Sequence, residues 1–225
     1  MKDYSKYIPS ESLEVKEIIN RIFNHDLILN GNFYWIDDRN RDFNSDGGCI
    51  SLYEDSIEAS VRGVSYIINL LLKYKPSKVL EIGTNAGSFS LILKETLGDI
   101  DIYTVDREPG FRERVEMINN YYNVPFINFF NADSTSDEFK NWAKKNGPYE
   151  FCWIDGNHEY KTVYSDIKTA LDSNITIIGC DDCGEKIPTD VYRVVKEMEN
   201  KNEINLVSES KIESFVGAIC TIEKK

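Results

Sequence analysis

The stretch "KVLEIGTNAGSFS", residues 78–90, decides the fold of this chain. It begins as a short apolar strand, turns at Gly83, and continues after Gly87 into an apolar segment typical of a helix. Glycines at these two positions permit a tight turn and let a ligand approach the backbone closely. The free N–H groups and partial positive charge at a helix start favour a carboxylate or a phosphate. The stretch therefore predicts a strand, a ligand-binding turn and a helix.

Downstream of this stretch, strand and helix patterns alternate along the chain. The predicted strands are 101–106, 126–132, 149–155 and 175–182, and the predicted helices are 87–97, 111–122, 136–146, 159–172 and 188–200. Two last strands, 204–209 and 214–222, joined by the short polar turn 210–213, predict a terminal hairpin. The alternation predicts an α/β fold: a Rossmann-like doubly wound sheet of about seven strands, mostly parallel, with a C-terminal antiparallel hairpin and N-terminal helices.

Two helical patterns and a long loop precede the alternating region. Apolar residues recur at helical spacing over 11–29, where His25 is expected to be a surface or capping residue, and a further helix is predicted over 54–74. Residues 30–50 form a long polar and aromatic loop between them. Two interpretations of this loop are open: a lid over a site, and a small hydrophobic contact outside the main core.

Length, composition and charge restrict the function. A chain of 225 residues suits a single domain over 1–225, with N-terminal helices and a lid loop in 1–75 and a cofactor-binding core in 76–225. A net charge of −12 argues against nucleic acid as a partner, because polyanion binding requires a basic surface. No apolar run approaches the roughly 18 residues of a membrane span, and no signal-peptide core begins the chain. We therefore expect a cytoplasmic protein with no membrane partner.

The chain has five cysteines, which are expected to be reduced in the cytoplasm. Cys180 and Cys183 form a C-x-x-C pair, which allows a redox or zinc role. Structural zinc usually takes four ligands, however, and no second such pair exists. Cys180 is therefore expected to end a buried strand as a small hydrophobic residue.

Several ligand classes compete for the glycine turn. A dinucleotide site requires G-x-G-x-x-G, but Asn85 stands where the second glycine is needed, and the lysine of a P-loop is missing. The spacing Glu81-x-Gly83-x-x-x-Gly87 instead resembles motif I of the class I S-adenosylmethionine-dependent methyltransferases. An acid at the end of the second strand, Asp106, is placed to accept hydrogen bonds from ribose hydroxyls.

The resemblance implies further cofactor contacts. Asp133, in the segment "NADST" after the third predicted strand, matches the family position that contacts the adenine amino group. The complete set of predicted contacts to S-adenosyl-L-methionine is Glu81, Gly83, Thr84, Asn85, Gly87, Ser88, Asp106, Asp133, Ser134 and Asp155.

Three more acids follow the fourth and fifth predicted strands: Asp155, Asp181 and Asp182. These strands should be neighbours, so the carboxylates should converge and repel one another unless protons or a cation compensate them. An all-oxygen cluster favours a hard cation such as Mg²⁺, or else Mn²⁺ or Ca²⁺. Helix capping and solvated turns are the structural alternative.

The segment "WIDGNHEYKTVYSDI", followed by "IIGCDD", makes the resemblance more specific. It is similar to metal-dependent small-molecule O-methyltransferases, including the macrolide-sugar methyltransferases and the cephalosporin-hydroxylase-like group. The matching residues are Asp155, Gly156, His158, Tyr160, Asp166, Asp181 and Asp182. The resemblance implies metal binding by Asp155, Asp181 and Asp182, and catalysis by Asp155 with His158 as general base.

The expected function is methyl transfer to a hydroxyl of a small molecule, such as a sugar or nucleotide-sugar, with divalent-metal assistance. A homo-oligomer is compatible with the resemblance, because N-terminal helices and lids often pack across subunits in this group. The alternatives are a non-methylating, hydroxylase-like member of the same fold, a regulatory nucleoside-binding module, and an NAD-dependent oxidoreductase. Asn85 in the glycine turn weighs against the last of these.

Overall fold

The computed structural model describes residues 1–29, 57–184, 189–209 and 220–225. The predicted loop 30–50 and the predicted hairpin turn 210–213 lie outside the described residues. Three helices in the described part precede the sheet: α1 (Leu13–Phe23), α2 (Asp26–Leu29) and α3 (Ile57–Tyr74), after a 3-10 helix at Ser5–Tyr7. None of the helices in these ranges combines the length and apolar character needed to cross a membrane.

Strands and helices then alternate as predicted. They are β1 (Lys78–Ile82), α4 (Ser88–Leu97), β2 (Asp101–Asp106), α5 (Phe111–Tyr122), β3 (Ile127–Asn131), α6 (Asp137–Asn146), β4 (Phe151–Ile154), α7 (Tyr160–Asp172), β5 (Ile177–Cys180), α8 (Asp190–Asn200), β6 (Ile204–Glu209) and β7 (Cys220–Lys224). Strands β4 and β5 each begin two residues later than the predicted strands 149–155 and 175–182. Tyr149 and Ile175 are buried there, but they pack in the core without joining the sheet.

The sheet has the order β3-β2-β1-β4-β5-β7-β6, which confirms the predicted topology. The first five strands pair in parallel, and β7 pairs antiparallel with both β5 and β6. Strands β1 and β4 lie side by side although two strands and three helices separate them in the chain. The strand order reverses at this pair, and open α/β sheets bind ligands at the carboxyl edge of such a switch point.

Hydrophobic residues cover both faces of the sheet, so its parallel strands are buried on both sides. Helices α1, α3, α4 and α5 contribute to one layer, and α6, α7 and α8 to the other. In the first layer, Trp153 stacks on Phe89 with ring centroids 4.6 Å apart. Gly179 on β5 makes room for this indole, since a β-carbon there would lie 2.7 Å from Trp153 Cε3.

The cysteines differ from the expectation that all of them are reduced. Cys183 is disulfide-bonded, whereas Cys152 and Cys180 are free and buried. The C-x-x-C pair is therefore not closed on itself. Cys180 ends β5 with no exposed surface, as expected for a small hydrophobic residue.

The predicted helix over 11–29 is divided in two at His25. The prediction of a surface residue is wrong, because His25 is only 8% exposed, but the capping alternative holds: Nδ1 accepts the Leu27 N–H at 3.2 Å at the start of α2. Nε2 lies 3.0 Å from Tyr122 Oη, and that hydroxyl donates to Glu95. Arg21 Nε pairs with the same Glu95 carboxylate at 2.5 Å. This network fastens the N-terminal helices to α4 and α5.

The His25 network predicts an acid-sensitive component of stability. Burial lowers the pKa of His25, while the charges of Glu95 and Asp26 act in the opposite direction. The unfolded chain takes up this proton near about pH 6.5, so the free energy of unfolding should fall as the pH drops below that value. His25→Gln should weaken this dependence. Urea denaturation at several values between about pH 7.5 and 5.5 measures it. Equal dependence in both proteins would contradict the prediction.

Candidate active site

Backbone hydrogen bonds continue the parallel pairing past the strand ends and bring the loops of the site together. The Asp155 N–H donates to Ile82 O at 2.8 Å, and the Asp181 N–H donates to Ile154 O at 3.0 Å. The end of β4 is therefore fixed against β1, and the end of β5 against β4. As predicted, the acids that follow β4 and β5 lie at the edge that carries the glycine turn.

The glycine turn has the conformation that its residues suggest. Gly83 and Gly87 have φ angles of 98° and 83°, in the left-handed region that favours glycine. A β-carbon on Gly83 would lie 2.1 Å from Asp155 O, so no other residue fits without displacing the acid turn. Asn85 is also left-handed, at φ 45°, which asparagine tolerates better than most residues. Gly87 caps α4 without a side chain, which leaves the first turn of that helix open to an anion.

Asp106 holds the glycine turn from the end of β2. Its Oδ2 accepts the N–H groups of Thr84 and Asn85 at 3.0 and 3.1 Å, and its Oδ1 accepts the Glu108 N–H at 3.0 Å. Burial raises the pKa of Asp106, while these three N–H groups act to lower it. Each carboxylate oxygen can accept more than one hydrogen bond, so Asp106 can shape the turn and still receive a ribose hydroxyl.

Glu81 lies beneath the turn and is 1% exposed. Its Oε2 accepts the Ser90 hydroxyl at 2.9 Å, whereas Oε1 has no hydrogen-bond partner among the described residues. Burial raises the pKa of Glu81 to about 8, against the opposing effect of Thr104 and Ser90. A buried carboxyl oxygen without a partner is available to a ligand that brings a donor.

The loop after β3 places Asp133 and Ser134 at the same edge. Asp133 is exposed, and its Oδ1 accepts both the N–H and the hydroxyl of Thr135, at 2.8 and 2.6 Å. These bonds lower the pKa of Asp133. The N-cap of α6 is Ser136, so Asp133 does not serve as that cap.

His158 lies between the acids of two loops. Its Nδ1 is 2.9 Å from Asp182 Oδ2, and its Nε2 is 3.5 Å from Asp155 Oδ1. Nε2 is buried and makes no hydrogen bond to the described residues. Asp181 interacts with both Asp155 and Asp182. The structure thus brings together the four residues proposed for catalysis and metal binding.

Burial dominates the charge state of this cluster. It raises the pKa of Asp155 and, with the charges of Asp155 and Asp182, raises the pKa of Asp181 well above its usual value. The Asp155 and Asp182 carboxylates raise the pKa of His158, so the imidazolium is the favoured form. Over the ranges that the structure describes, no group of three or more His, Cys, Asp and Glu side chains is arranged to hold a metal ion. Within the described residues, the side chain of opposite charge that faces Asp155 and Asp182 is the His158 imidazolium.

Residues at the start of α8, which the sequence analysis did not identify, hold this cluster in place. The N-cap Glu159 of α7 makes no capping bond with its side chain, and Asp190 Oδ2 instead accepts the Tyr160 N–H at 3.2 Å. The Thr189 hydroxyl donates to Asp182 O, where the backbone is left-handed with φ 51°. The pair Thr189-Asp190 has the sequence of a helix start, but its contacts with two other loops are visible only in three dimensions.

Gly83→Ala tests the close approach of the two turns, with Gly98→Ala as its control. Both glycines have positive φ, but a β-carbon on Gly98 meets nothing within 4 Å. The Gly98 variant should lose only about 1–3 kcal/mol of unfolding free energy, the cost of a rare backbone conformation, whereas Gly83→Ala should lose more and also lose binding of S-adenosylhomocysteine. Denaturation and calorimetry measure both. Equal losses in the two variants would show that the Asp155 contact is unimportant.

Comparison with known proteins identifies the fold and a domain family. Residues 80–183 match a family model described as a methyltransferase domain. Three solved structures show the same fold. An S-adenosylhomocysteine-bound methyltransferase from Podospora anserina has a TM-score of 0.59 at 14% identity, covering 98% of this chain and 93% of that one. An O-methyltransferase from Bacillus cereus, in complex with S-adenosylhomocysteine, has a TM-score of 0.61 at 11% identity, covering 98% and 94%.

The third, magnesium protoporphyrin IX methyltransferase from Synechocystis with bound S-adenosylmethionine, has a TM-score of 0.61 at 11% identity, covering 96% and 99%. No curated protein matches the chain in sequence. The matched family segment, 80–183, contains every residue predicted to bind the cofactor or a metal. Residues 80–183 are thus similar to a methyltransferase domain, and the fold is the one seen in these S-adenosylmethionine- and S-adenosylhomocysteine-bound methyltransferases.

Proposed function

We propose that this protein is an S-adenosylmethionine-dependent methyltransferase that acts on a hydroxyl oxygen of a small molecule, such as a sugar or nucleotide-sugar. The observation that carries the proposal is the placement of His158 between two carboxylates, with Nδ1 2.9 Å from Asp182 Oδ2 and the buried Nε2 3.5 Å from Asp155 Oδ1. An imidazole oriented by a carboxylate through one nitrogen can take a proton from a hydroxyl with the other. The name of the Bacillus cereus protein, an O-methyltransferase, supports oxygen as the acceptor atom.

The residues of the glycine turn fit the cofactor. Glu81 Oε1, buried and without a partner among the described residues, would accept a hydrogen bond from the cofactor's ammonium group. The open first turn of α4 would face the carboxylate, and Asp106 would hold the ribose hydroxyls. Asp133 and Ser134 would line the adenine side. When bound, S-adenosylmethionine supplies an activated methyl group on sulfur.

The protein itself must orient the acceptor and remove the proton from its hydroxyl. The acceptor hydroxyl would lie beside His158 Nε2 and in line with the methyl group. Correct orientation can lower the barrier by several kcal/mol, up to about 7–11 in ideal cases. General-base catalysis typically contributes about 10²–10⁴-fold. His158 must be neutral to act as the base, so the negative charge of Asp155 and Asp182 must be partly offset.

Divalent-metal assistance is the second part of the proposal. Asp155, Asp181 and Asp182 offer only oxygen atoms, which is the donor chemistry that Mg²⁺, Mn²⁺ or Ca²⁺ prefers. A metal on these carboxylates would take over the compensating role of the His158 imidazolium and free the imidazole to act as a base. Bound there, the cation would lower the pKa of the acceptor hydroxyl.

The proposal extends to partners and location. The acidic chain, with a net charge of −12, suits a small hydroxylated acceptor in the cytoplasm better than nucleic acid or a membrane surface. A homo-oligomer that packs through the N-terminal helices is part of the same proposal. Methyl transfer from labelled S-adenosylmethionine to a panel of sugars, nucleotide-sugars and catechols tests the acceptor class.

His158→Ala should reduce turnover by about 10²-fold or more, because the proposed base is lost. Binding of S-adenosylhomocysteine should stay within about threefold, a change of under 1 kcal/mol. His25→Gln is the matched control, since it changes the only other histidine, which lies in the N-terminal network. Turnover of both variants is measured near neutral pH with the best acceptor of the panel. Unchanged turnover in His158→Ala would exclude the base.

Removal of divalent metal should abolish turnover, and added Mg²⁺ should restore it. A second measurement does not depend on activity: calorimetric titration of Mg²⁺ into the S-adenosylhomocysteine complex should show binding, and Asp181→Asn should weaken it about tenfold or more. Asp172→Asn, at an exposed acid on α7, is the control. Full turnover in excess EDTA, with no heat of Mg²⁺ binding, would refute the metal and leave O-methylation standing.

A further inference from the structure

Two residues at the start of α8, Thr189 and Asp190, contact the chain on both sides of His158. The Thr189 hydroxyl donates to Asp182 O, and the carboxylate of the same Asp182 lies 2.9 Å from His158 Nδ1. Asp190 Oδ2 accepts the N–H of Tyr160, two residues after His158, at 3.2 Å. One helix start therefore holds both the carboxylate partner of His158 and the turn that carries the His158 ring.

Helix capping alone does not explain the bond from Thr189 to Asp182. As the N-cap of α8, Thr189 uses its hydroxyl oxygen to accept the Tyr192 N–H at 3.2 Å. Capping requires only this acceptor, and aspartate or asparagine would serve at least as well. The hydroxyl proton is a separate resource, and Thr189 donates it to Asp182 O. A hydroxyl can both accept and donate, whereas an ionised carboxylate can only accept.

The backbone of Asp182 needs the support that this bond gives. Asp182 is left-handed, with φ 51°, a conformation that is unfavourable outside glycine and persists where neighbouring groups fix it. The Thr189 hydroxyl is one such group, and the Asp181 N–H, which donates to Ile154 O at 3.0 Å, fixes the preceding residue. Loss of the Thr189 bond should therefore let the Asp182 carboxylate turn away from His158.

Asp190 acts on the other side of His158, through Tyr160 at the first position of α7. The Tyr160 ring lies 5.7 Å from Arg193 Cζ, and its hydroxyl donates to Glu197. Arg193 Nη1 in turn pairs with Asp190 Oδ1 at 2.5 Å. The backbone, ring and hydroxyl of Tyr160 are thus all bound to α8. Tyr160 has no part in the chemistry proposed above, and these contacts give it the role of an anchor.

We propose that Thr189 and Asp190 are positioning residues that hold the His158 imidazole against Asp182 and direct Nε2 at the acceptor hydroxyl, a role that depends on the proposed function of His158 as the base. Thr189 acts through the Asp182 backbone, and Asp190 acts through the start of α7. The cofactor turn is held separately by Asp106. Loss of either positioning residue should therefore slow methyl transfer without weakening cofactor binding.

Thr189→Ala should lower kcat about tenfold or more with the best acceptor of the panel, because a small misplacement of a catalytic group is costly. The KM for the acceptor and the affinity for S-adenosylhomocysteine should stay within about threefold of the wild type. Thr189→Ser keeps a hydroxyl that can donate and accept, so its kcat should return to within about threefold of the wild type.

Ser12→Ala is the matched control for the loss of a helix cap. The Ser12 hydroxyl caps α1 by accepting the Val15 N–H at 3.2 Å, far from His158 in the chain. Both alanine variants should lower the midpoint of thermal unfolding by about 2–4 °C, the effect of one lost cap in a chain of this size. Only Thr189→Ala should lose turnover.

A double-mutant cycle with His158 separates positioning from a general structural effect. If Thr189 acts through His158, Thr189→Ala should change kcat by less than about twofold in a His158→Ala background. Asp190→Ala should behave in the same way. Asp190→Asn keeps an oxygen that can accept the Tyr160 N–H, so it should restore turnover when His158 is present. Should Thr189→Ala not fold, the two Asp190 variants carry the same comparison.

A spectroscopic readout does not depend on turnover. Because a carboxylate only accepts hydrogen bonds, His158 Nδ1 donates to Asp182, and its proton should give an NMR signal in the complex with S-adenosylhomocysteine. The chain has only two histidines, so His158→Ala assigns this signal. It should persist in Thr189→Ser and Ser12→Ala and be lost to exchange with water in Thr189→Ala.

The proposal is overturned if Thr189→Ala keeps the kcat of the wild type or an unchanged Nδ1 signal. It is equally overturned if Thr189→Ala lowers kcat as much in the His158→Ala background as in the wild type, which is the pattern of a structural residue. Unchanged turnover in His158→Ala itself would instead refute the proposed base, so the two failures are distinguishable.

Discussion

The contact between Gly83 and the Asp155 backbone is the constraint on which the rest of the site depends. A side chain at Gly83 would begin 2.1 Å from Asp155 O, so the cofactor turn and the acid turn meet backbone to backbone. The hydrogen bond from the Asp155 N–H to Ile82 O, 2.8 Å long, fixes the same approach from the other side. Because Asp181 is joined to Ile154 in the same way, the position of β1 is transmitted across β4 to the loop after β5.

Concentrating acids at one sheet edge has an electrostatic cost, and the protein offsets it differently at each position. Asp106 receives three backbone N–H groups, which suit a carboxylate that keeps its charge. Glu81 accepts the Ser90 hydroxyl and has a pKa raised to about 8, so it can hold a proton. Asp155 and Asp182 share His158. The Asp106 carboxylate on the cofactor side is thus stabilised by fixed backbone N–H donors. The carboxylates on the acceptor side are stabilised by His158, which can exchange its proton.

Much of the fold was predictable because hydrophobic periodicity and glycine positions act locally. The alternation of strands and helices between 78 and 209 follows directly from them, and so does the placement of acids at strand ends. The errors occurred where tertiary contacts override local pattern. Nothing in the spacing of 11–29 indicates that the His25 ring would interrupt the helix to bond Leu27 and Tyr122.

The site likewise combines features that the sequence predicts with features that only the structure shows. Residue types and strand ends indicated which acids converge, because parallel strands share one carboxyl edge. They could not indicate that His158 would stand between Asp155 and Asp182, or that Asp190 on another helix would cap α7. Those contacts are set by loop conformations, including the left-handed backbone at Asp182. Burial is likewise a property of the whole fold, and only the structure shows that Asp166, in the interior of α7, is fully buried.

The charge of the acid cluster also constrains any reaction in which an acceptor oxygen becomes negative. An alkoxide beside Asp155 and Asp182 is repelled by both carboxylates, and the low dielectric of a half-buried site strengthens the repulsion. Proton uptake by Asp181, whose pKa is raised well above its usual value, removes part of this negative charge. The imidazolium of His158 removes more, but its proton-accepting role requires the neutral ring. The same site must therefore offset its negative charge by a route other than His158 before His158 can act as the base.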